Sequence, residues 1–429
     1  MAIIEGGLEI QFPHMVKVKQ NLTSCKLPAV ADVLRKQLSE TQIRRRIRPG
    51  MSVAVGVGSR GITNLLILVK TTVEKLKEYG ANPFIVPAMG SHGEADPEGQ
   101  RQILEAYGIT EESLGVPVLS SLDVVELART PDGVPVYFDK LAFCADGVVP
   151  VNRVKFHTHF RGEVESGLLK MLVIGFGKHK GATAVHACGF HNFHRLIPEI
   201  GAIILEKVPV LFGVASIEDA FDQTAEVAVI EPGQFLTQEK RMLRRAKEIM
   251  ARLRISPIDL LIVDEIGKDI SGAGFDPNIV DRFPGKGGND LVTPTIHKVL
   301  VLSLTEKTHG NACGLGYADI TVRSVVEKIN RAATYTNAVT AASPEEDIDA
   351  AKIPLFLDTD REAVALGIRL TNRTDPEKAR VVRIKNTLQL EEIMISESLI
   401  GEAVASNCQI ISPLIGMRFD SQGKIEPFL

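Results

Sequence analysis

From about residue 50 the chain alternates short apolar runs with stretches of helical spacing. Ser52–Val57 (SVAVGV) is apolar almost throughout, the pattern of a strand buried on both faces. Leu65–Tyr79 repeats apolar residues at helical intervals and gathers its lysines and glutamates on one side. Pro83–Ala88 (PFIVPA) predicts the next strand. Asp96-Pro97-Glu98 predicts a helix start, with an Asp cap, Pro at the first position and an acid in the first turn. This order predicts a parallel sheet. Val208–Ser216 and Asp259–Val263 read as further strands. Gln238–Leu253 reads as a helix with a solvated basic face, and Arg254–Pro257 as a domain boundary. Beyond it Lys298–Leu304 and Val381–Ile384 read as strands, and Ala318–Ile329 and Asp360–Leu370 as helices. The expected fold class is α/β, with two α/β domains, mainly parallel sheets and a crevice between them. The domains span residues 1-255 and 256-429, and the extreme C-terminus is free to pack back on the first.

A chain of 429 residues has room for two such domains. Apolar residues at 45% and charged residues at 24% exclude a disordered chain and a coiled coil. Lys+Arg 49 against Asp+Glu 53 leaves a formal charge of −4 with no dense basic block; Trp is absent and Tyr counts 5. Neither the basic footprint nor the stacking platform of a nucleic-acid binder is there. No apolar run approaches the ~20 residues of a membrane span. The start, MAIIEGGLEIQF, has no signal-peptide pattern. Cys25, Cys144, Cys188, Cys313 and Cys408 stand singly with no CxxC pair. That argues against a thiol-ligated zinc site and a disulfide framework, and for a cytoplasmic location. The expected partner is a small-molecule substrate, with the oligomeric state open.

Gly56-Val57-Gly58-Ser59-Arg60-Gly61 matches GxGxxG between a strand and a helix, the context of a dinucleotide site. The next strand ends Pro87-Ala88-Met89-Gly90-Ser91-His92, without the acid that would hold a ribose. A NAD-dependent oxidoreductase is therefore the alternative reading. The favoured one has the glycines form a tight turn that presents Arg60 at a strand's carboxyl end, where its fork suits a substrate carboxylate. His92 would face the same crevice. The plainer roles are a surface ion pair for Arg60 and a loop cap for His92.

Six of ten histidines, His157, His159, His179, His186, His191 and His194, fall within 38 residues. Lys155, Lys170, Lys178 and Lys180 lie among them. Imidazoles suit proton transfer near neutral pH and suit borderline metals. A lysine in apolar surroundings loses its charge readily and becomes a covalent anchor. The segment therefore reads as a functional site, although any one of these histidines taken alone has a structural role as its simpler explanation. His191 and His194, three apart, suit a helix start better than a metal.

At these residues the sequence resembles the lactate racemase family, the nickel-pincer-dependent 2-hydroxyacid racemases and epimerases. Arg60 in GSRG matches that family's loop arginine, and His92 in Gly90-Ser91-His92 its Gly-x-His loop. His157, or else His159, stands ahead of Ser166-Gly167-Leu168-Leu169-Lys170, which matches its lysine loop; His186 stands sixteen residues beyond Lys170, the family's offset to its metal histidine. Ser59 replaces an acid, and Leu168 and Leu169 stand in a loop that the family writes Ser-Gly-Gly-x-Lys.

The resemblance implies an isomerase working by reversible hydride transfer to a nickel-pincer nucleotide, pyridinium-3,5-bisthiocarboxylic acid mononucleotide nickel. Lys170 would anchor that cofactor, Ser166 and Gly167 line its phosphate, and His186 bind nickel. His92 and His157 would exchange the hydroxyl proton on opposite faces, and Arg60 would hold the substrate carboxylate. Lys178 and Lys180 are the competing anchors. Lys268, in Asp264-Glu265-Ile266-Gly267-Lys268, follows a strand and is a candidate contact to substrate or cofactor. Asn278, Arg282, His309 and Asn311 are further polar loop residues without an assigned place. A non-catalytic metal- or phosphate-binding relative is the third reading.

Overall fold

Asp96 accepts a hydrogen bond from the Gly99 N–H at 2.9 Å, and Pro97 takes the first helical position of Pro97–Ala106. The local signal thus starts the helix where it was read. Thr359 does the same for Asp360–Arg369 through a reciprocal bond with Glu362. The computed structural model describes residues 7–59, 61–284, 294–341 and 348–427. In chain order its main strands are β1 His14–Lys19, β2 Ser52–Val57, β3 Asn82–Pro87, β4 Val124–Arg129, β5 Pro135–Asp139, β6 Gly147–Arg153, β7 Gly213–Glu218, β8 Thr224–Ile230, β9 Ile258–Val263, β10 Ile296–Val301, β11 Ile320–Val322, β12 Leu355–Leu357, β13 Val381–Ile384 and β14 Glu392–Ser396. The fold is α/β with mostly parallel strands.

The chain divides into two units: Thr23–Met250, and the first 22 residues together with Ala251–Leu429. In Thr23–Met250 the sheet order is β3-β2-β6-β7-β8. β2 lies parallel to β3 and β6, with Val55 opposite Ile85 and Val149, and β6 lies parallel to β7. β8 is antiparallel to β7. The helix Leu65–Glu78 links β2 to β3 and buries Leu65, Leu68, Val69, Val73 and Leu76. Central β2 and β6 are apolar because helices and loops cover both faces.

In the other unit β12-β11-β10-β9-β13 run parallel; β14 and β1 add antiparallel to that sheet. β1 lies in the sequence range expected for the first domain, residues 1-255, yet Val16 pairs with Ile395 of β14. The C-terminal residues stay in this unit: the Ile425 N–H donates to Asp360 and Arg383 to the Glu426 carbonyl.

Two other expectations change. Residues 208–212 only lead into β7, with a single bridge from Val210 to Val148, because Pro209 has no N–H for a ladder. Ile320–Val322 is a strand and only Arg323–Glu327 is helical; the β-branched triplet is drawn between β10 and β12. No helix among the described residues is long and apolar enough to cross a membrane.

Candidate active site

β2, β3 and β6 are parallel, so their carboxyl ends share one edge of the sheet in Thr23–Met250. His92 leaves β3 there, exposed, and its Nδ1 is hydrogen-bonded to the Ser59 hydroxyl in the loop after β2. The Tyr107 hydroxyl donates to the Ser59 carbonyl at 2.8 Å. The buried Gln100 amide donates to the carbonyls of Gly90 at 2.9 Å and His92 at 3.1 Å. Gly93 has φ +66, and a Cβ there would stand 2.7 Å from the Gln100 nitrogen, so only glycine closes this turn. Arg60 lies outside the described residues.

Gly56, Gly58 and Gly61 of the GxGxxG segment all lie outside the left-handed region of φ. A Cβ on Gly56 would lie 2.1 Å from Cζ of Phe176, which stacks on Phe138 with centroids 4.9 Å apart. Gly58 faces Met171. Gly56 is small because an aromatic ring crosses the strand, which accounts for it without a pyrophosphate.

The histidine segment leaves β6 as a loop closed by paired backbone bonds between Lys155 and Ser166, both 3.0 Å. Glu165 organises it. This carboxylate is 1% exposed, accepts the His157 N–H at 2.5 Å and pairs with Lys247 at 2.8 Å. His157 Nδ1 accepts the His159 N–H at 3.1 Å, so the neutral ring carries its proton on Nε2. Its ring packs on Phe160, centroids 4.5 Å apart, and that of His159 on Phe190 at 5.3 Å.

Lys170 ends the turn Leu168–Lys170, and the chain continues as a π-helix over Met171–Gly175. Such wide turns are uncommon and recur at functional sites. Leu168 and Leu169 point into the core. Cβ atoms on Gly213 and Gly201 would meet them at 2.5 and 2.8 Å, so the bulky pair fills space behind the loop. Lys170 Nζ stands 5.6 Å from the centroid of Phe160.

His186 joins the same aromatic group, edge-on to Phe190 at 5.3 Å and Phe193 at 5.1 Å. Its Nδ1 is 2.7 Å from the Ala182 carbonyl. A carbonyl only accepts, so Nδ1 carries the proton and Nε2 the lone pair. Burial holds this imidazole below the ordinary histidine value; the Ala182 bond opposes that, and the Lys170 charge adds to it. The ring is thus a neutral imidazole in one tautomer beside Lys170.

The structure therefore gathers His157, Lys170 and His186 around Phe160, Phe190 and Phe193. Ser166 and Gly167 precede the lysine turn, and the Gly167 carbonyl accepts from the Asn152 amide at 2.7 Å. Gly167 also lies against Glu239: a Cβ there would be 2.2 Å from Oε2. Of the competing anchors, Lys178 is fully buried, 2.8 Å from Asp139 and bonded to the Pro87 carbonyl. Lys180 is exposed over Tyr137 at 4.5 Å. His194 Nδ1 bonds the His191 carbonyl at 2.7 Å just at the start of Phe193–Lys207, a helix-start role. Lys268 belongs to the other unit, where its Nζ donates to the Gly272 carbonyl at 2.6 Å. There too Arg282 pairs with Asp319 at 2.8 Å, and Asn278 is buried on Asp276.

Glu165, Glu239 and the three phenylalanines had not been singled out. Glu239 carried a readable signal: it interrupts the apolar stripe Phe235, Met242, Leu243, Ala246 and Ile249 of its helix. Among the described residues no three His, Cys, Asp or Glu side chains gather to hold a metal, so a metal at His186 would need further ligands from a cofactor.

Residues 12–195 match the family model of the lactate racemase N-terminal domain. A crystal structure of a Thermotoga maritima protein shares the fold, with TM-score 0.51 and 12% identity over 80% of this chain and 84% of that one. The lactate racemase apoprotein from Thermoanaerobacterium thermosaccharolyticum aligns with TM-score 0.48 and 12% identity, over 87% and 89%. No curated protein sequence matches the chain.

Proposed function

We propose, from a chain that residues 12–195 make a member of the lactate racemase-like family, that it is an isomerase: a racemase or epimerase of a 2-hydroxy acid, working with a nickel-pincer nucleotide. The observation that carries the reading is His186. An imidazole kept neutral, with its Nδ1–H held by Ala182 and its Nε2 lone pair left for a ligand, stands beside a lysine sixteen residues earlier. This donor set fits a cofactor that is tethered through an amine and brings most of its metal's ligands with it.

Lys170 would hold the cofactor covalently, and His186 Nε2 would complete the nickel coordination. When bound, the cofactor supplies a reversible acceptor for the hydride on the substrate's α-carbon. The chain's own part is proton transfer and orientation. His157, in the loop after β6, and His92, at the end of β3, are the two proton-exchanging groups, as a racemase requires one on each face. Arg60 is the cation assigned to the substrate carboxylate, and Lys268 is a candidate contact to substrate or cofactor. Phe160, Phe190 and Phe193 exclude water around the lysine and the metal ligand.

Co-expression with the genes that make the pincer cofactor, followed by intact mass and nickel analysis, tests this. The expected result is a mass increment on the Lys170 peptide and about one nickel per chain, as one His186 per site implies. Both are lost in Lys170→Ala and retained in Lys180→Ala. An unmodified, nickel-free chain, or a modified Lys170→Ala, overturns the assignment.

A further inference from the structure

The segment that carries Lys170 starts on a carboxyl group from within the chain. The opening N–H groups of a helical segment have no partners inside it. Here the Leu169 N–H donates to Glu239 Oε1 at 2.8 Å, and the Leu168 N–H is held by the same carboxyl. Glu239 comes from the helix Phe235–Ile249 and is 1% exposed. Its other oxygen occupies the space that a side chain at residue 167 would need. The carboxyl thus fills the anion position of Leu168–Gly175 from behind.

We propose that Glu239 is the positioning residue for Lys170: it binds the first N–H groups of the Leu168–Gly175 segment, fixes where the lysine points, and closes that end to any ligand phosphate. The functional meaning rests on the reading of Lys170 as the cofactor anchor; the geometry does not. Gly167 is then glycine because Glu239 needs the room. A nucleotide phosphate brought to these N–H groups would have to displace a buried carboxyl, so it is bound elsewhere, with Ser166 free of that constraint.

The test is the rate at which an N-hydroxysuccinimide ester labels Lys170 in the cofactor-free chain, read by peptide mass and normalised to Lys207. Glu239→Leu keeps the volume and removes the acceptors. Glu239→Gln keeps one acceptor at the same reach. The expected result is a change of about tenfold in Glu239→Leu, the worth of one buried hydrogen bond, with Glu239→Gln close to the native rate. Native rates in both variants, or equal changes in both, overturn the proposal. Should Glu239→Leu fail to fold, Glu239→Asp withdraws the carboxyl by one methylene and is compared with Glu239→Gln in the same way. Labelling does not depend on the cofactor. A chain in which Glu239 controls Lys170 but never takes up the pincer nucleotide would overturn the functional reading and leave this one standing.

Discussion

Lys178 Nζ and Asp139 Oδ2 lie 2.8 Å apart with both side chains fully buried. Asp139 also accepts the Ala142 N–H at 2.9 Å, which starts the short helix after β5. Burial pulls the Lys178 ammonium below its ordinary value while Asp139 restores part of it. Asp139→Asn leaves a buried cation without its counter-ion and is expected to cost ~3–5 kcal/mol, whereas replacing both partners by Met and Leu costs far less. Urea unfolding of the two variants checks this. An Asp139→Asn chain as stable as the native one would show that the pair does not hold this part of the fold.

His186 should titrate below 6.5, and NMR of its ring nitrogens should find the proton on Nδ1. Lys170→Met removes a neighbouring positive charge and is expected to raise the midpoint, since that charge disfavours the imidazolium. Because the folded value lies below the free one, the neutral ring stabilises the fold above pH 6.5, and this is lost as pH falls through the lower, folded value. A midpoint unmoved by Lys170→Met would separate the two residues.

Burial raises the Glu239 carboxyl from 4.5 to about 8 against the opposing pull of the Leu169 and Leu168 N–H groups. A carboxyl that holds its proton more tightly when folded stabilises fully below 4.5. That contribution declines as pH rises and is gone once pH passes about 8. Unfolding followed between these limits should show the decline in the native chain and a flatter profile in Glu239→Gln. Parallel profiles would mean that the group titrates near its free value.

Gly167→Ala places a methyl 2.2 Å from Glu239 Oε2, a contact no packing tolerates. The substitution is expected to destabilise by ~1–3 kcal/mol, the range for overpacking, and to do so mostly through Glu239. In the Glu239→Ala background the cost should shrink, giving a coupling of ~0.5–3 kcal/mol in a double-mutant cycle. Additive effects would place the strain elsewhere.

Leu169→Ala is expected to cost ~2–5 kcal/mol, since the side chain is 2% exposed and fills the space left by Gly201. Lys170→Met, one residue on, should cost little by the same urea measurement, because that side chain is only partly buried. A large loss from Lys170→Met would mark the lysine as structural.

The chain order of apolar runs and caps determined much of the fold. Ser52–Val57 and Val381–Ile384 are strands over the ranges their composition implies, and Asp96 and Thr359 start helices by side chains three residues from the groups they bind. These are local effects, and periodicity reports local effects. The sixteen-residue offset between Lys170 and His186 was legible through the family resemblance; a turn, a π-helix and a helix connect the two residues. Tertiary structure decided the rest. β1 joins β14 across 379 residues, Val16 lying opposite Ile395, through a pairing that no local pattern encodes. Lys178 and Lys180 differ by two positions, yet one is sealed against Asp139 and the other is exposed over Tyr137. Glu239 reads as one of two acids in a basic helix until Leu169, seventy residues earlier, is laid against it. The His186 tautomer follows from a carbonyl one helical turn away. Sequence shows which groups can ionise, ligate or donate. Which of them are desolvated, and which partner fixes their proton, depends on what the fold places opposite.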